Sequence, residues 1–186
     1  MPISLIVLLI VLAVFYFLYI SLIKKKNKVK EASSGIEVQL KKRYDLIPNL
    51  LQTASKFMEH EKFLMEEITK LRTEAMNGSF SNNPEQAAKI ENALSNKLKE
   101  FNISVENYPD LKSNQTMVQA MDSMKDVEEH IAAARRFYNA AVNDLNNAVE
   151  IFPSSIIAGL LGIKQDVFFD APENEKQPIN AGDFFK

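Results

Sequence analysis

Four short clusters in this chain combine residue types that invite chemistry. Glu59-His60-Glu61 and Glu128-Glu129-His130 bring carboxylates and imidazole together, the donors of a metal centre in a helical bundle. Such centres use Glu-x-x-His, because residues three apart share a helix face. Phe57 lies three before His60 and Val127 three before His130, so the spacing fails twice and both histidines read as surface residues. Lys41-Lys42-Arg43 offers three cations to a phosphate. Successive residues fan around a helix, however, so the run reads as a solvated face. Arg135-Arg136 adjoins an apolar seam. The expected role is a bidentate pair between one guanidinium and an acid such as Asp45 or Glu61 at the bundle edge, with an anion site as the alternative. The chain has no Cys, which excludes disulfides, zinc–thiolate sites, iron–sulfur clusters and a thiol nucleophile. It also lacks a Gly-rich phosphate loop, G-x-S-x-G and H-E-x-x-H. No catalytic, cofactor-binding or metal-ligating residue is assigned.

The elements that would carry these clusters are helical. From residue 31 to 76, Leu40, Ile47, Ala54, Ile68 and Ala75 recur in one heptad row, with Glu61 as the exception, and Leu50, Phe57, Leu64 and Leu71 in another. The stripe is wide, as in a bundle, and predicts one long helix ended by Asn77-Gly78. Pro48 lies inside it; the rows stay in phase on both sides, which predicts a continuous helix bent at the proline. Asn83-Pro84-Glu85-Gln86 is a start signal, with a capping Asn and Pro at the first helical position. The helix it opens fades near Tyr108-Pro109. In a third helix Met124, Ile131, Tyr138, Leu145 and Phe152 recur every seven residues. Val127, Ala134, Ala141 and Ala148 form a small-residue row beside them. Ile131, Tyr138 and Leu145 are expected to face the first helix, with Ala134 and Ala141 at the close crossing. Phe152-Pro153 ends the third helix. Residues 154–162 read as a short apolar fourth helix, with capping of the bundle as the default role and membrane or partner contact as alternatives. Residues 164–186 read as irregular.

The N-terminus is of another kind. Residues 3–23 form an apolar run interrupted only by Ser4, Tyr16, Tyr19 and Ser21. At about 1.5 Å per residue it covers roughly 30 Å, the depth of a bilayer core. Nothing basic precedes it and no small-residue cleavage pattern follows it, which favours an anchor over a cleaved signal. Lys24, Lys25, Lys26, Lys28 and Lys30 come directly after it, with no acid before residue 31. By the positive-inside rule they place the domain in the cytoplasm. These five belong to a total of 22 basic residues, which leaves 17 against 24 acidic ones. The mildly acidic remainder has no global attraction for nucleic acid.

One stretch carries a likeness. Val38-Gln39-Leu40-Lys41-Lys42-Arg43-Tyr44-Asp45-Leu46-Ile47-Pro48-Asn49-Leu50 resembles the signature of the LemA family. Glu106-Asn107-Tyr108-Pro109-Asp110-Leu111-Lys112 is similar to that family's inter-helix turn. Ala134-Arg135-Arg136-Phe137-Tyr138-Asn139 and Phe152-Pro153-Ser154-Ser155-Ile156-Ile157-Ala158-Gly159 are similar to its third helix and its ending, and Phe168-Phe169-Asp170-Ala171 to its tail. The likeness runs from about residue 31 to the end. Residues 24–34 depart from it, being lysine-rich where many members carry a Tyr-Asn-x-Leu-Val type of segment. The resemblance implies a membrane-anchored, elongated antiparallel bundle, and no enzymatic activity, cofactor or substrate.

The resulting expectation is an all-α chain of three long helices and one short one behind a transmembrane helix. Its parts are an anchor at 1–23, a basic membrane-proximal segment at 24–34, a bundle at 35–163 and a tail at 164–186. The expected setting is a bacterial inner membrane, crossed once, with the bulk in the cytoplasm. The expected role is a non-catalytic interaction or scaffold protein. Its partners are the lipid bilayer and other proteins, a second copy among them, and neither nucleic acid nor a small-molecule substrate. The alternatives are a metal-dependent or cryptic enzyme, or a membrane-surface effector that organises lipid through the fourth helix.

Overall fold

The computed structural model describes residues 3–169. Asp170, Ala171, Pro172, Pro178 and the second Phe-Phe pair, all part of the expected tail, lie outside the described residues. The described elements are α1 (Ile3–Ala54), α2 (Lys62–Asn77), α3 (Pro84–Val105), α4 (Pro109–Lys112), α5 (Gln115–Glu150) and α6 (Ser154–Leu160). The chain is all-α, as the periodicity predicts, and begins with one helix long and apolar enough to cross a membrane.

The first helix continues through the basic segment and through Pro48. It does not reach Met76. It ends at Ala54, and a short turn with a 3-10 segment at Glu59–Glu61 reverses the chain. The single bent helix expected over residues 31–76 is therefore a hairpin of α1 and α2. Arg72 on α2 meets Tyr44 on α1, 28 residues apart in sequence, a separation one straight helix would stretch to about 40 Å. The periodicity misleads because both limbs bury a face against the same core. Leu50 and Leu64 keep the heptad count while lying on different helices, and Phe57 between them is exposed.

With the chain reversed there, α1, α2, α3 and α5 form an up-down-up-down four-helix bundle. Lys28–Asp144 at 3.2 Å and Arg43–Glu128 at 2.9 Å fix α1 and α5 as antiparallel neighbours. Lys97–Glu67 at 2.9 Å ties α3 back to α2. The start signal before α3 acts as expected: the Asn83 side chain accepts from the Gln86 N–H at 3.2 Å, and Pro84 occupies the first turn. Similarly, the Asn114 side chain accepts from the N–H groups of Thr116 and Met117 to open α5.

The core seam of α1 falls at Val29, Ser33, Ile36, Leu40, Arg43, Ile47, Leu50 and Ala54, alternately four and three residues apart. Facing it, α5 buries Met124, Val127, Ile131, Tyr138, Ala141 and Leu145. The expected phase of this helix holds, except at Ala148, which is partly buried, and at two further positions. Ala134 is only partly buried, and Phe152 is 75% exposed. Each fully buried Leu or Ile here contributes about 1.5–3 kcal/mol relative to an exposed one. The final described stretch, residues 164–169, is irregular but not loose, because it lies along α5.

Candidate functional site

The densest polar chemistry lies in the middle of the bundle, centred on Arg43 and Tyr44 of α1. Arg43 is fully buried. Its Nη1 donates to Ser95 Oγ at 2.8 Å and to Glu128 Oε1 at 2.9 Å, and its Nη2 is ion-paired with Glu91. Glu91 is itself 2% exposed, and it also accepts the hydroxyl of Tyr44. One guanidinium thus holds α1 to α3 and α5. Charged groups survive at this depth only when paired and hydrogen-bonded, and the planar fork of Arg supplies both at once. Burial pushes the Tyr44 hydroxyl up, with Arg43 opposing and Glu37 adding to the rise.

The expectation that Lys41-Lys42-Arg43 forms one solvated face is half right. Lys41 and Lys42 are exposed, while Arg43 turns inward. It shares a heptad row with Ile36 and Leu50, both buried. The counterpart is as legible: Glu91, Leu94, Leu98, Phe101 and Val105 form the buried stripe of α3, with the acid in line. An Arg and a Glu on two apolar stripes are the signal that pattern reading passed over. Glu128, considered only as part of a metal cluster, is the third member. His60 and His130 are exposed, and among the described residues no cluster of three His, Cys, Asp or Glu is placed to hold a metal ion.

Pro48 has a defined consequence. Its missing N–H leaves the Tyr44 carbonyl without the usual partner one turn on. Arg72 of α2 supplies the donor instead, its Nε reaching that oxygen at 2.7 Å. The gap in one helix is thereby filled from its neighbour. Pro48→Ala restores an internal donor, so the cost of Arg72→Met, about 1–3 kcal/mol where the carbonyl is orphaned, is expected to fall by at least half in the Pro48→Ala background. A double-mutant cycle in urea measures this; equal costs in both backgrounds would show that Arg72 does not replace the missing donor.

A second cluster lies nearer the N-terminal end of α1. Phe80, from the loop between α2 and α3, is 3% exposed. It stacks on Phe169 at 5.0 Å and meets Tyr138 edge-on at 5.1 Å. Arg135 covers the other ring, its guanidinium carbon 4.3 Å from the centroid of Phe169. This corrects the expected pairing of Arg135 or Arg136 with Asp45 or Glu61: Arg135 stacks on the tail, Arg136 is exposed, and Asp45 pairs with Lys41 in its own helix. The loop itself is held by Glu37, which accepts from the Ser81 N–H and from the hydroxyls of Ser81 and Ser79. Burial pushes the Glu37 carboxyl up, but these three donors together outweigh it and hold the group below the usual range.

The tail is fastened by two asparagines. Asn139 donates to the Phe169 carbonyl at 3.0 Å and accepts from the Phe169 N–H at 2.8 Å. Asn146 does the same with Asp166, both at 2.9 Å. Tyr138 adds its hydroxyl to the Val167 carbonyl at 2.9 Å. Of the remaining motif residues, Pro48, Asn49, Pro109 and Asp110 are exposed and Tyr108 is half-buried, while Leu111 beside it is buried in the core. Pro153 follows a cis peptide bond, and among the described residues nothing lies within 4 Å of the position of a side chain at Gly159.

Of the motif residues, Arg43 and Tyr44 thus meet in one cluster and Arg135 and Tyr138 in the other, with Asn139 fastening the tail beside it. Glu37, Tyr44 and Glu91 also line a groove of about 700 Å3 between α1 and the turn joining α2 to α3.

Comparison with known proteins gives a consistent picture. The LemA family model matches residues 32–181. "Protein LemA" of Metamycoplasma hominis is 22% identical over 179 residues, covering 94% of this chain and 81% of that protein. "Magnetosome protein MamQ 2" of Paramagnetospirillum magneticum is 22% identical over 209 residues, covering all of this chain and 77% of that one. "Magnetosome protein MamQ" of Magnetospirillum gryphiswaldense is 30% identical over 82 residues, 44% of this chain. The matched residues include every part of both clusters, and the chain belongs to the LemA family.

Proposed function

We propose that this is a single-pass membrane protein whose helical bundle acts without catalysis, as a tethered interaction module for other proteins. One observation carries this reading: the same helix, α1, supplies the apolar run and the central strut of the bundle without a break. From Ile23 to Ala54 the helix rises about 46 Å, so the far end of the bundle stands well clear of the bilayer. All four long helices turn or end there, and Phe63 is 72% and Ile103 63% exposed at that end. Exposed aromatic and branched apolar groups of this kind favour protein contacts. Most of the polar groups around Arg43 are occupied by one another, which supports a structural role for them. The lysines after residue 23 support an orientation with the bundle in the cytoplasm of a bacterial cell, behind the inner membrane.

A photo-crosslinking residue at Phe63 of the full chain, in native membranes, is expected to give discrete protein adducts that the same residue at exposed Glu129 on the flank does not. Equal adducts from tip and flank, or none from the tip, would overturn the interaction reading. Protease added to intact spheroplasts is expected to spare the bundle. Digestion while a cytoplasmic marker remains protected would reverse the orientation.

A further inference from the structure

Residues 3–17 of α1 are exposed all round, but residues 18–23 are not. Leu22 is 1% exposed, and Leu18 and Ile23 pack against the core. The antiparallel pairing of Lys28 with Asp144 accounts for this. Six residues before Lys28 lies Leu22, and six after Asp144 lies Glu150, the last residue of α5. The chain then turns into α6, which packs back against α1. The last turns of the apolar run thus carry protein on one face.

This sets a depth. A bilayer core needs about 20 helical residues, roughly 30 Å. The free part, residues 3–17, rises only about 22 Å. A span of ordinary length laid on the apolar run of residues 3–23 includes residues 18–23, and whatever packs on them comes to the same level. From Ile151 to Gly162 the sequence IFPSSIIAGLLG has no charged residue. Its inward side buries Ile157 and Ala158, while Ile151, Phe152, Ile156 and Leu160 are 60%, 75%, 48% and 78% exposed. An apolar outer face at the end of a soluble bundle would be a liability in water. At the boundary of a bilayer it is matched to its surroundings, and Lys24, Lys25 and Lys26 lie in the adjoining turn, at the level of anionic head groups.

We propose that residues 151–161 form a second membrane contact: α6, with Phe152, lies in the interfacial layer of the leaflet from which α1 emerges into the bundle. The occupant of this apolar face is lipid. The inference rests on the reading of α1 as a span. It adds that the bundle is held at two points, so its tilt and rotation on the membrane are fixed, whereas one helix alone leaves it free to turn.

The chain has no cysteine, so a single introduced one can be labelled uniquely. Four full-length variants, Leu8→Cys, Phe63→Cys, Phe152→Cys and Leu160→Cys, are labelled with a nitrobenzoxadiazole fluorophore. They are reconstituted in phosphatidylethanolamine–phosphatidylglycerol vesicles. Quenching is compared for aqueous iodide and for lipids carrying a nitroxide high or low on the acyl chain. The expected result is that Phe152→Cys and Leu160→Cys are quenched best by the shallow nitroxide, and several-fold less by iodide than Phe63→Cys. Leu8→Cys should respond to the deep nitroxide. If Leu8→Cys does so while Leu160→Cys responds to iodide as Phe63→Cys does, the span stands and the second contact is refuted. If Leu8→Cys is open to iodide, the span reading fails and the inference with it. If Leu160→Cys is shielded from iodide and from both nitroxide lipids, another protein or a second copy covers the face, and lipid is excluded.

Discussion

Arg43→Met is expected to lower the unfolding free energy by about 3–5 kcal/mol, more than almost any single apolar truncation in this bundle. The loss comes chiefly from what remains. Glu91, 2% exposed, loses the cation that made burial of its charge tolerable, and is either left as an unpaired buried charge or neutralised at a cost in free energy. Glu128 contributes less, because its side chain is 36% exposed and can turn to water. Two further variants separate this account from a simple packing loss. In Arg43→Met with Glu91→Met the only charge left unpaired in the cluster is the partly exposed Glu128, and much of the stability is expected to return, although Tyr44 loses its acceptor. Arg43→Lys keeps the charge but cannot reach Glu91, Ser95 and Glu128 together, so it should fall between the single variant and the native chain. Urea unfolding of the full chain in one detergent, followed by helical circular dichroism, gives the comparison. If the double variant is as unstable as Arg43→Met, the buried charge is not the cause.

Arg43 also shows what was legible beforehand. Its position on the α1 seam follows from counting sevens back from Leu50 to Ile36, and Glu91 follows from the stripe that runs to Val105. What periodicity cannot say is which helices those stripes face. The all-α class, the Asn83 cap and the inward phase of α5 came from local rules, since capping and amphipathicity are properties of single helices. The reversal after Ala54 was missed because a turn that contains neither Gly nor Pro, and that interrupts the heptad rows only at Glu61, has a weak local signature. Ser55, Lys56 and Phe57 are not strong breakers. The contacts that require it, Arg72–Tyr44 and Glu37–Ser81 among them, are tertiary. Arg135 was assigned to Asp45 or Glu61 for the same reason: its contact with Phe169 is made by the docking of the tail, which no local pattern shows.

That docking carries the second large effect. Phe169→Ala is expected to cost about 3–5 kcal/mol, the range for a fully buried ring, although the residue belongs to a stretch without regular structure. The reason is a match of pitch. Asn139 and Asn146 are seven residues apart on α5, about 10.5 Å along the helix axis. Asp166 and Phe169 are three residues apart in extended chain, about 10 Å. Each asparagine amide can therefore pair with both backbone groups of one tail residue, as a neighbouring strand would, and the tail is held in a single register. This register carries Phe169 into the space between Phe80 and Arg135 and leaves Phe168 46% exposed. Phe168→Ala should accordingly change stability several-fold less than Phe169→Ala. Alkali provides an independent check on the same contact. Burial first, and then the nearby charge of Asp166, push the Tyr138 hydroxyl up to about 12. A folded value above the ordinary 10.0 means that the contribution of the neutral hydroxyl is fully present below pH 10 and is lost as the pH rises toward 12. The difference in stability between the native chain and Tyr138→Phe should hence shrink across that window and not below it. If Phe168→Ala and Phe169→Ala cost the same, or if the Tyr138→Phe difference is flat from neutral pH to 12, the tail does not dock in this register and the aromatic cluster is not what secures the end of the bundle.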